Sequence, residues 1–466
     1  MYYTIMRTLI SEIIKKEGEL VELSGWVSVR RDHGKIIFID LRDRSGGCQL
    51  VFIGGNKEVY EKASTLRSEW VISVSGIVNK RPPAMVNPEI LTGTHEVLVD
   101  KLEILNRAGE LPISIDTDGY EIGEEVRLKY RYLDLRRSRL SKNLRMRHRM
   151  TAFIRSFLGD RDFIEVETPI LTKSTPEGAR DYLVPSRLEP GKFYALPQSP
   201  QQYKQLLMVA GLEKYFQIAR CFRDEDTRGD RQPEFTQLDM EISFTDQEEV
   251  MALNEQLLTD LVKTVFPEKT IQEIPFPRFS YAEAMKKYGT DRPDLRKSKE
   301  DSNLLAFCWI VDFPFFEKSK DGGWTFTHNP FSAPKPEYLE NLLAGKSIGE
   351  IQAAQYDVVL NGLEIGGGSI RNHKPEALRA VFSIISSKDI DSFRHMYDAF
   401  ISGAPPHGGI AWGLDRLASL LLNEPNIREV IAFPKTGDGR DLMMNAPSAA
   451  GKEQLKELGI ELKKKK

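Results

Sequence analysis

Hydrophobic and polar residues alternate along the first hundred positions in the way that β-strands require. Apolar residues or Gly recur at every second position over 21–29 and 37–41, and three further runs rich in apolar residues follow at 50–53, 72–78 and 97–104. Because successive side chains of a strand point to opposite faces, each run predicts a strand with one buried face. Clusters of Gly, Asn and Asp separate the runs, and a short helix is predicted over 58–68. Five short strands with one helix predict a small closed barrel, with a β-sandwich or meander as the alternative.

The second predicted strand carries an aromatic residue on its outer face. Ile37 and Ile39 share the buried face, so Phe38 points the other way, close in sequence to Arg30 and Arg31. Exposed aromatic rings stack on unpaired bases, and arginines bind phosphates or stack themselves. The barrel is therefore predicted to be of the OB type and to bind a nucleic acid, although a lone exposed aromatic is also common on a β face.

The remainder of the chain mixes helices and short strands. Residues 107–135, which include a stretch punctuated by Gly, Pro and Asp, are predicted to form a hinge between the barrel, 1–106, and a larger domain, 136–466. Apolar residues at helical spacing over 150–158 predict an amphipathic helix. Helices and strands then alternate without the regular rhythm of a doubly wound sheet, so the predicted fold class is α+β. The charged, aperiodic stretch 287–303 is predicted to be a surface excursion.

Composition excludes several classes of protein. The chain has 466 residues, of which 41% are hydrophobic and 29% charged, so it can bury a large core and is not predominantly disordered. No apolar run is long enough to span a bilayer, and the first residues lack the pattern of a secretory signal. Three widely separated cysteines fit neither a disulfide framework nor a zinc ribbon and favour a reducing cytoplasm.

The local distribution of charged residues is more informative than the net charge of the chain. The formal net charge of −3 gives no argument for nucleic acid binding, but residues 127–149 contain ten Lys or Arg against one acid, Asp134. Tyr and Leu residues interrupt this basic block, so it is predicted to be folded. A folded basic stripe is a candidate for phosphate contacts, with a solvated helix face as the simpler alternative.

Common nucleotide and metal motifs are absent from the sequence: it has no Walker loop, no G-x-G-x-x-G after a strand and no H-E-x-x-H. The triplet 366–368 is all Gly but is followed by Ser369-Ile370-Arg371, which does not fit a phosphate loop. Consecutive glycines instead predict a place where the backbone closely approaches a ligand or a neighbouring strand.

Three motifs occur in a distinctive order. A strongly charged segment, 220–239, contains Phe-Arg-Asp-Glu and Gln-Pro-Glu-Phe-Thr and resembles motif 2 of the class II aminoacyl-tRNA synthetases. Residues 163–169 resemble motif 1, which ends in a proline at the dimer interface of that family, and residues 408–417 resemble motif 3. The three together identify the chain as similar to this class.

Further stretches resemble the bacterial aspartyl-tRNA synthetases over essentially the whole chain. They are 174–182, 198–201, 204–206 and 356–371 in the large domain, the hinge-proximal 130–136, and 25–27 with 38–43 in the barrel. The resemblance implies a two-step reaction. Aspartate first attacks the α-phosphate of ATP to give aspartyl-adenylate and pyrophosphate, and the terminal ribose of tRNA then takes the aspartyl group.

The resemblance implies roles for individual residues. Those expected to act in catalysis are Arg223, Arg416 and Glu364. Those expected to bind aspartate are Glu177, Ser199, Gln201, Lys204, Arg223, Asp239, His328 and Arg371. Those expected to bind ATP are Arg223, Asp224, Glu225, Gln232, Phe235, Glu364, Gly413, Leu414, Asp415 and Arg416. Those expected to hold Mg²⁺ are Asp357 and Glu364. Those expected to bind tRNA are Arg30, Arg31, His33, Phe38, Gln49 and Ala84.

The chain departs from the bacterial pattern in two places. The domain usually inserted between motifs 2 and 3 is missing or reduced to a remnant at 287–303, so some contact with the tRNA backbone is expected to be lost. His328 is followed by Asn329 where relatives often carry a second histidine, and an amide can donate a hydrogen bond but cannot be charged.

The expected partners are L-aspartate, ATP, tRNA(Asp) and a second copy of the chain in a homodimer, with no membrane and no DNA. His33 and Ala84 resemble the members of the family that also charge tRNA(Asn), and dual specificity is therefore expected. The alternatives are a strictly discriminating aspartyl enzyme, an asparaginyl-tRNA synthetase, and a non-catalytic tRNA-binding paralogue.

Overall fold

The computed structural model describes residues 7–174, 178–227, 229–319, 322–385 and 393–463. The predicted aspartate ligand Glu177 lies outside these ranges. The chain divides into two compact units, with the boundary between Ser114 and Ile115.

The first unit is the predicted five-stranded barrel. Its elements are β1 (Leu20–Asp32), β2 (Ile36–Asp43), β3 (Gly46–Ile53), α1 (Lys57–Thr65), β4 (Val71–Lys80) and β5 (His95–Asn106). The strands close in the order β1-β2-β3-β5-β4, with β3 and β5 parallel and the other pairs antiparallel. Alternate residues such as Val21, Ile37 and Ile39 are fully buried, because an alternating strand places its apolar set on one face. The barrel prediction is confirmed.

The second unit contains the remaining elements. Its helices are α2 (Glu124–Lys129), α3 (Arg131–Asp134), α4 (Ser138–Gly159), α5 (Gln201–Val209), α6 (Gln247–Val265), α7 (Tyr281–Tyr288), α8 (Leu339–Ala344), α9 (Pro375–Ile384), α10 (Arg394–Ile401), α11 (Leu414–Leu421) and α12 (Lys452–Glu457). Its strands are β6 (Ile164–Glu165), β7 (Leu183–Pro185), β8 (Phe193–Ala195), β9 (Lys214–Phe222), β10 (Glu234–Ser243), β11 (Thr270–Ile271), β12 (Arg278–Ser280), β13 (Leu304–Leu305), β14 (Phe307–Val311), β15 (Phe316–Lys318), β16 (Trp324–Phe326), β17 (Gln355–Leu360), β18 (Leu363–Ile370) and β19 (His407–Gly413).

One eight-stranded sheet organises the second unit. Its strand order is β12-β14-β17-β18-β19-β10-β9-β6, and all pairs are antiparallel except the two at the edges. The largest hydrophobic core joins this sheet to α4, α6 and α11. On α4, Met150, Ile154 and Leu158 are fully buried, which confirms the amphipathic helix predicted from their spacing. No helix in the described ranges combines the length and apolar character needed to cross a bilayer.

The predicted hinge is longer than the observed connection. Residues 115–135 belong to the second unit, where Arg127 Nη2 lies 2.7 Å from Glu429 Oε1. Arg131 Nη1 and Arg137 Nε donate to Asp134 at 2.7 and 2.6 Å, and Asp134 is fully buried. These buried ion pairs fix the segment to its own unit, because a buried charge is stable only when it is paired.

The stretch 287–303 forms the end of α7 and the loop that follows it, rather than a domain. Gln272 anchors it twice, since its Nε2 donates to Leu295 O at 3.0 Å and its Oε1 accepts from Lys297 N at 2.8 Å. The charged side chains of Asp294 and Arg296 pair with each other at 2.8 Å. A short loop held in this way keeps β12 and β14 adjacent without an inserted domain.

Glycines in the sheet make room for charged side chains. A Cβ on Gly409 would overlap Met240 O and Glu241 Oε2, and one on Gly367 would lie 2.8 Å from Asp357 Oδ1. Both positions have to be glycine because the neighbouring carboxylates occupy the space of a side chain. The close approach predicted for 366–368 is confirmed.

Candidate active site

Two adjoining cavities lie on one face of the eight-stranded sheet. Cavity A has a volume of about 530 Å³ and is lined by Lys204, Asp239, His328, Asp357 and Arg371, among others. Cavity B has a volume of about 240 Å³ and is lined by residues of the motif 2 and motif 3 segments. The lining residues that the two cavities share are Arg223, Glu225, Arg231, Gln237, Glu364 and Ala411. Two ligands bound side by side would therefore meet at Arg223 and Glu364.

A four-charge cluster consists of Lys204, Asp239, Glu241 and Arg371, and three of its members, Lys204, Asp239 and Arg371, line cavity A. Asp239 and Glu241 are two residues apart on β10, so both point to the same side of the sheet. Lys204 Nζ lies 2.7 Å from Asp239 Oδ1 and 3.2 Å from Glu241 Oε2. Arg371 Nε and Nη2 donate to the two Glu241 oxygens at 2.8 and 3.2 Å. All four residues are at most 3% exposed, so the two cations converge as predicted, but each already has an acidic partner.

The cluster leaves several N–H donors for a ligand, and one acceptor, Asp239 Oδ2, is also buried without a hydrogen-bond partner among the described residues. A guanidinium carries five N–H groups, and Arg371 uses three of them, the third to Ser369 Oγ at 2.8 Å. An ammonium carries three, and Lys204 uses two. Two N–H groups of Arg371 and one of Lys204 therefore remain after the contacts among the described residues are counted. Three N–H donors suit a carboxylate, which only accepts.

Burial and neighbouring charge shift the two acids in opposite directions. Burial raises the pKa of Asp239 above its ordinary value, against the effect of Lys204. Burial alone would also raise the pKa of Glu241, but Arg371 and Lys204 together lower it. Glu241 is therefore the fixed anion that holds both cations in place.

A chain of hydrogen bonds orients the amide of Gln201 at the wall of cavity A. Gln201 Nε2 donates to Gln205 Oε1 at 3.0 Å, and Gln205 Nε2 lies 3.0 Å from His407 Nε2. His407 Nδ1 lies 2.7 Å from Pro405 O and must carry the proton, because a carbonyl only accepts. Burial lowers the pKa of His407, so the ring is neutral and its Nε2 accepts from Gln205. Ser199 lies beside this chain, and its Oγ accepts from Gln201 N at 3.3 Å.

The loop that carries His328 is tied to the four-charge cluster. The ring of His328 packs edge-on against Phe313, with centroids 4.9 Å apart. Asn329 Oδ1 accepts from Phe331 N at 2.9 Å and lies 3.5 Å from Ser332 Oγ. Ser332 Oγ donates to Ser369 Oγ at 2.9 Å, and Ser369 in turn accepts from Arg371. The Asn329 side chain therefore stabilises its own loop through hydrogen bonds that an uncharged amide can accept.

Cavity B is lined by most of the residues predicted to bind ATP. Arg223 lies over the ring of Phe235, with 5.1 Å from its guanidinium carbon to the ring centroid. Arg416 Nη1 donates to Glu364 O, and its Nη2 lies 3.3 Å from Asp230 Oδ2. Glu225, Gln232, Glu364 and Gly413 also line the cavity.

Three residues predicted to bind ATP are placed differently. Leu414 is fully buried in the hydrophobic core, so its side chain does not face cavity B. Asp415 reaches the cavity wall, but its Oδ2 accepts from Thr236 N at 2.8 Å and its Oδ1 pairs with Arg147. Asp224 lines neither cavity A nor cavity B and lies 3.7 Å from Arg180 Nε. In the motif 3 segment some side chains therefore line the ligand cavity and others lie in the core. Sequence similarity alone does not distinguish the two.

Asp357 and Glu364 meet on the two sides of Gly367, as expected for residues that share a cation. Burial raises the pKa of Asp357 well above its ordinary value, and the charges of Glu364 and Asp291 raise it further. Gln355 Nε2 donates to Asp357 Oδ1 at 3.2 Å. A buried carboxylate facing other acids is stabilised by a cation. The described residues include no group of three or more His, Cys, Asp and Glu that could hold a metal by itself, so further ligands would come from a bound substrate.

The barrel presents most of its predicted tRNA contacts on an outer face. Phe38 is directly opposite Arg31 in the pairing of β1 with β2, and its ring contacts that of His33 edge-on at 5.7 Å. Arg31 pairs with Asp40 at 2.6 Å and also reaches Gln49 Oε1 at 3.4 Å.

Arg30 and Ala84 are placed apart from the Phe38 face. Arg30 donates to Ser64 O on α1, so it does not flank Phe38 as its sequence position suggested. Ala84 is exposed in a single helical turn, Pro83–Met85.

Several site residues were not found from the sequence. Glu241 and Ser369 shape the four-charge cluster, and Gln205 with His407 orients Gln201. Glu241 had a detectable signal, since a second acid two positions after Asp239 on a strand must share its face. Ser369 and His407 gave no such signal because their partners come from distant segments.

Two family models match the chain. Residues 123–437 match the model described as tRNA synthetases class II (D, K and N). Residues 21–105 match the model described as OB-fold nucleic acid binding domain.

Curated relatives resemble the chain over nearly its full length. The protein named Aspartate--tRNA(Asp/Asn) ligase from Corynebacterium jeikeium is 42% identical, covering 96% of this chain and 96% of its own. The protein of the same name from Rubrobacter xylanophilus is 43% identical, covering 96% and 95%. The first alignment runs over 585 positions, more than the 466 residues of this chain. These relatives therefore contain segments that this chain lacks.

Solved structures share the fold. Asparaginyl-tRNA synthetase from Pyrococcus horikoshii, complexed with asparaginyl-adenylate, superposes with a TM-score of 0.75 at 24% identity and covers 93% of this chain and 99% of its own. A putative aspartyl-tRNA synthetase from Leishmania major Friedlin gives 0.75 at 20% identity, covering 93% and 94%. At these identities the likeness establishes the fold and not the amino acid used.

Proposed function

We propose that the chain, which belongs to the class II tRNA synthetases, activates L-aspartate with ATP and transfers it to tRNA. As a member of that family it is an aminoacyl-tRNA ligase whose substrates are tRNA, an amino acid and ATP. The observation that carries the choice of aspartate is the four-charge cluster of Lys204, Asp239, Glu241 and Arg371, with three N–H donors free for a ligand.

The cluster favours a carboxylate over an amide in the amino acid side chain. A carboxylate accepts from all three donors, and charge-assisted hydrogen bonds are the stronger kind. The amide of asparagine would turn its own NH₂ group toward a donor, leaving buried polar groups unpaired, at a cost of about 1–3 kcal/mol each. Discrimination of this kind reaches about 10⁴-fold where a site is built on specific hydrogen bonds.

Activation requires positioning and charge stabilisation. An α-carboxylate oxygen of aspartate forms a bond to the α-phosphorus of ATP, and the bond from that phosphorus to the pyrophosphate oxygen breaks. Arg223 lies at the junction of cavities A and B, where it would bind the α-phosphate and offset the charge that develops during attack. Arg416 would bind the γ-phosphate, and Phe235 would stack on the adenine.

Asp357 and Glu364 would hold Mg²⁺ against the phosphates of ATP. Their carboxylates are the hard oxygen ligands that this ion prefers, and substrate phosphates complete its coordination in many nucleotide sites. When bound, the ion neutralises phosphate charge and favours departure of pyrophosphate. Gly367 keeps the two acids close by leaving the space between them open.

A third cavity offers a route for the end of the tRNA. It has a volume of about 660 Å³ and shares Glu225, Asp226 and Thr227 with cavity B. Tyr182 and Phe222 supply aromatic surface there, beside Arg180, Lys435 and Arg440. These residue types suit a stacked terminal base with its phosphates, so we place the 3′ end of tRNA in this cavity. Its ribose hydroxyl attacks the adenylate carbonyl, and AMP leaves.

The barrel is proposed to bind the anticodon and to accept both tRNA(Asp) and tRNA(Asn). His33, which is exposed, and Phe38, which is half-buried, form an aromatic pair on the barrel that is suited to unpaired bases. The relatives named above act on tRNA(Asp/Asn) by their printed names, and Ala84 is a small exposed residue elsewhere on the barrel.

The test is to charge purified tRNA(Asp) and tRNA(Asn) transcripts separately with labelled aspartate. Both should accept it at rates within about tenfold of each other. Charging of tRNA(Asp) alone would refute dual specificity and leave the aspartyl enzyme intact. Incorporation of asparagine, but not aspartate, would make the chain an asparaginyl-tRNA synthetase, and absence of any amino-acid-dependent pyrophosphate exchange would indicate a non-catalytic paralogue.

We also propose that two copies form a cytoplasmic homodimer. Around the motif 1 segment, large apolar side chains are 40–58% exposed, namely Ile164, Ile170, Leu171, Leu183 and Phe193. Apolar side chains clustered along one part of a surface mark an interaction site. Sedimentation at micromolar concentration tests this proposal, and a monomer would contradict it.

A further inference from the structure

The structure separates two groups of residues within the basic block of residues 127–149. Arg127, Arg131 and Arg137 are buried and paired with acids, as described above. Arg139 pairs with Glu424 at 2.6 Å, and Arg147 pairs with Asp415. These five arginines therefore hold the fold together and are not available to a ligand.

The second group lies on the exposed face of α4 and is here named the α4 basic stripe: Lys142, Arg145, His148 and Arg149. All four are exposed, and none has an acidic partner within ion-pair distance among the described residues. Lys142, Arg145 and Arg149 are spaced i, i+3 and i+7 and so share one side of the helix. At 1.5 Å per residue they span about 10 Å.

The composition of α4 makes this stripe unusual for a solvated helix face. Its 22 residues include six Lys or Arg and no Asp or Glu. Like charges three or four positions apart repel one another, and cations in the first turns oppose the helix dipole. An ordinary surface helix intersperses acids that relieve this repulsion. The stripe instead retains its positive charge for a partner.

We propose that the α4 basic stripe binds the phosphate backbone of the tRNA substrate outside the anticodon and the 3′ end. Charge complementarity supports this occupant, since a polyanion releases counterions when it meets several unpaired cations. Further along the same side of the helix, Ala152 and Ser156 are small and exposed, so a backbone can approach closely. The inference deepens the proposed function, because the tRNA is the substrate of that reaction. It also gives this chain a backbone contact where it lacks segments present in its relatives.

The test compares the full chain with the triple variant Lys142→Gln/Arg145→Gln/Arg149→Gln. Binding of a tRNA(Asp) transcript is measured by fluorescence anisotropy from 50 to 300 mM salt. With three phosphate contacts removed, the slope of log K against log salt should become shallower by about 2 to 3, and Kd at low salt should rise at least about tenfold. Aspartate-dependent ATP–pyrophosphate exchange, which needs no tRNA, should stay within about twofold.

A matched control removes the same charge elsewhere. Lys263, Lys286 and Lys346 are exposed on the second unit and have no ion pair among the described residues, so Lys263→Gln/Lys286→Gln/Lys346→Gln should leave both the Kd and the slope near those of the parent. An unchanged Kd in the stripe variant, an equal loss in the control variant, or a shift of the stripe variant in sedimentation would each overturn the inference. Loss of pyrophosphate exchange in the parent would instead refute the proposed function, while the anisotropy comparison would still decide the role of the stripe.

Discussion

Replacing Lys204 by methionine tests the electrostatics of cavity A most sharply. The side chain is 1% exposed, and methionine has a similar length and volume, so Lys204→Met removes the charge without opening a large cavity. The variant leaves Asp239 and Glu241 facing the ligand with one cation, Arg371, instead of two. The net charge of the cluster therefore changes from zero to −1.

The size of the effect follows from two contributions. One charge-assisted hydrogen bond to the ligand is lost, which costs about 1.5 kcal/mol at the low end of the measured range. A full negative charge about 6 Å from the substrate carboxylate, at an effective dielectric constant of about 20, costs about 3 kcal/mol more. At about 1.4 kcal/mol per factor of ten, kcat/KM for aspartate should fall about a thousandfold. Asparagine has a neutral side chain, so only the lost hydrogen bond applies to it. The kcat/KM for asparagine should therefore fall about tenfold.

The assay is ATP–pyrophosphate exchange with aspartate and with asparagine, run first at saturating ATP and then with the ATP concentration varied. The preference for aspartate over asparagine should fall about a hundredfold, while KM for ATP stays within about threefold. The variant Lys204→Arg, which keeps the charge, should retain more of the preference than Lys204→Met. An equal loss for the two amino acids would refute the electrostatic reasoning, and a change in thermal unfolding accompanied by a raised KM for ATP would show that the variant is misfolded.

Three further predictions concern other parts of the large unit. Ser369→Ala removes the hydroxyl that accepts from Arg371 and should raise KM for aspartate about tenfold with little change in KM for ATP or in kcat. Gly367→Ala places a Cβ 2.8 Å from a carboxylate oxygen and should raise the Mg²⁺ concentration needed for half-maximal exchange at least about fivefold. Glu429→Gln should lower the free energy of unfolding at pH 7 by about 3 kcal/mol in urea titrations, and the difference from the parent should shrink as the pH is lowered from about 5 to about 2.

The sign of the pH effect comes from the direction of the shift. Burial alone would raise the pKa of Glu429, but Arg127 and Arg139 lower it to about 2. A carboxyl whose pKa is lowered by folding stabilises the protein above its unfolded pKa, and the contribution disappears as the pH falls through the folded pKa. A destabilisation by Glu429→Gln that is the same at pH 3 and pH 7 would contradict this. A kcat loss without a KM change for Ser369→Ala, or an unchanged Mg²⁺ requirement for Gly367→Ala, would contradict the other two.

The local pattern of apolar and polar residues predicted the barrel more completely than it predicted the catalytic unit. Most of the barrel strands alternate over much of their length because one face is buried, and that signal survives in the sequence without any knowledge of their partners. Strands in the middle of the large sheet, such as β14 and β17, are buried throughout. A strand that is buried on both faces gives no clean alternation of buried and exposed positions, so the pairing order of these strands could not be deduced from sequence.

Site residues that lie within short sequence motifs could be predicted from the sequence. Contacts between site residues from distant segments could not. Arg223 and Arg416 lie in motifs whose residue order is itself distinctive. The partner of Arg371, in contrast, is Glu241, which is 130 positions away in sequence. Only the pairing of β18, β19 and β10 brings the two together, and no local pattern specifies that register.

The most direct measurement is the ATP–pyrophosphate exchange of the unmodified chain with aspartate and asparagine as alternative substrates, in the absence of tRNA. The three donors of Lys204 and Arg371 predict exchange with aspartate and at least about a thousandfold lower kcat/KM with asparagine. Equal use of the two amino acids, or preference for asparagine, would contradict the assignment of cavity A to a carboxylate side chain.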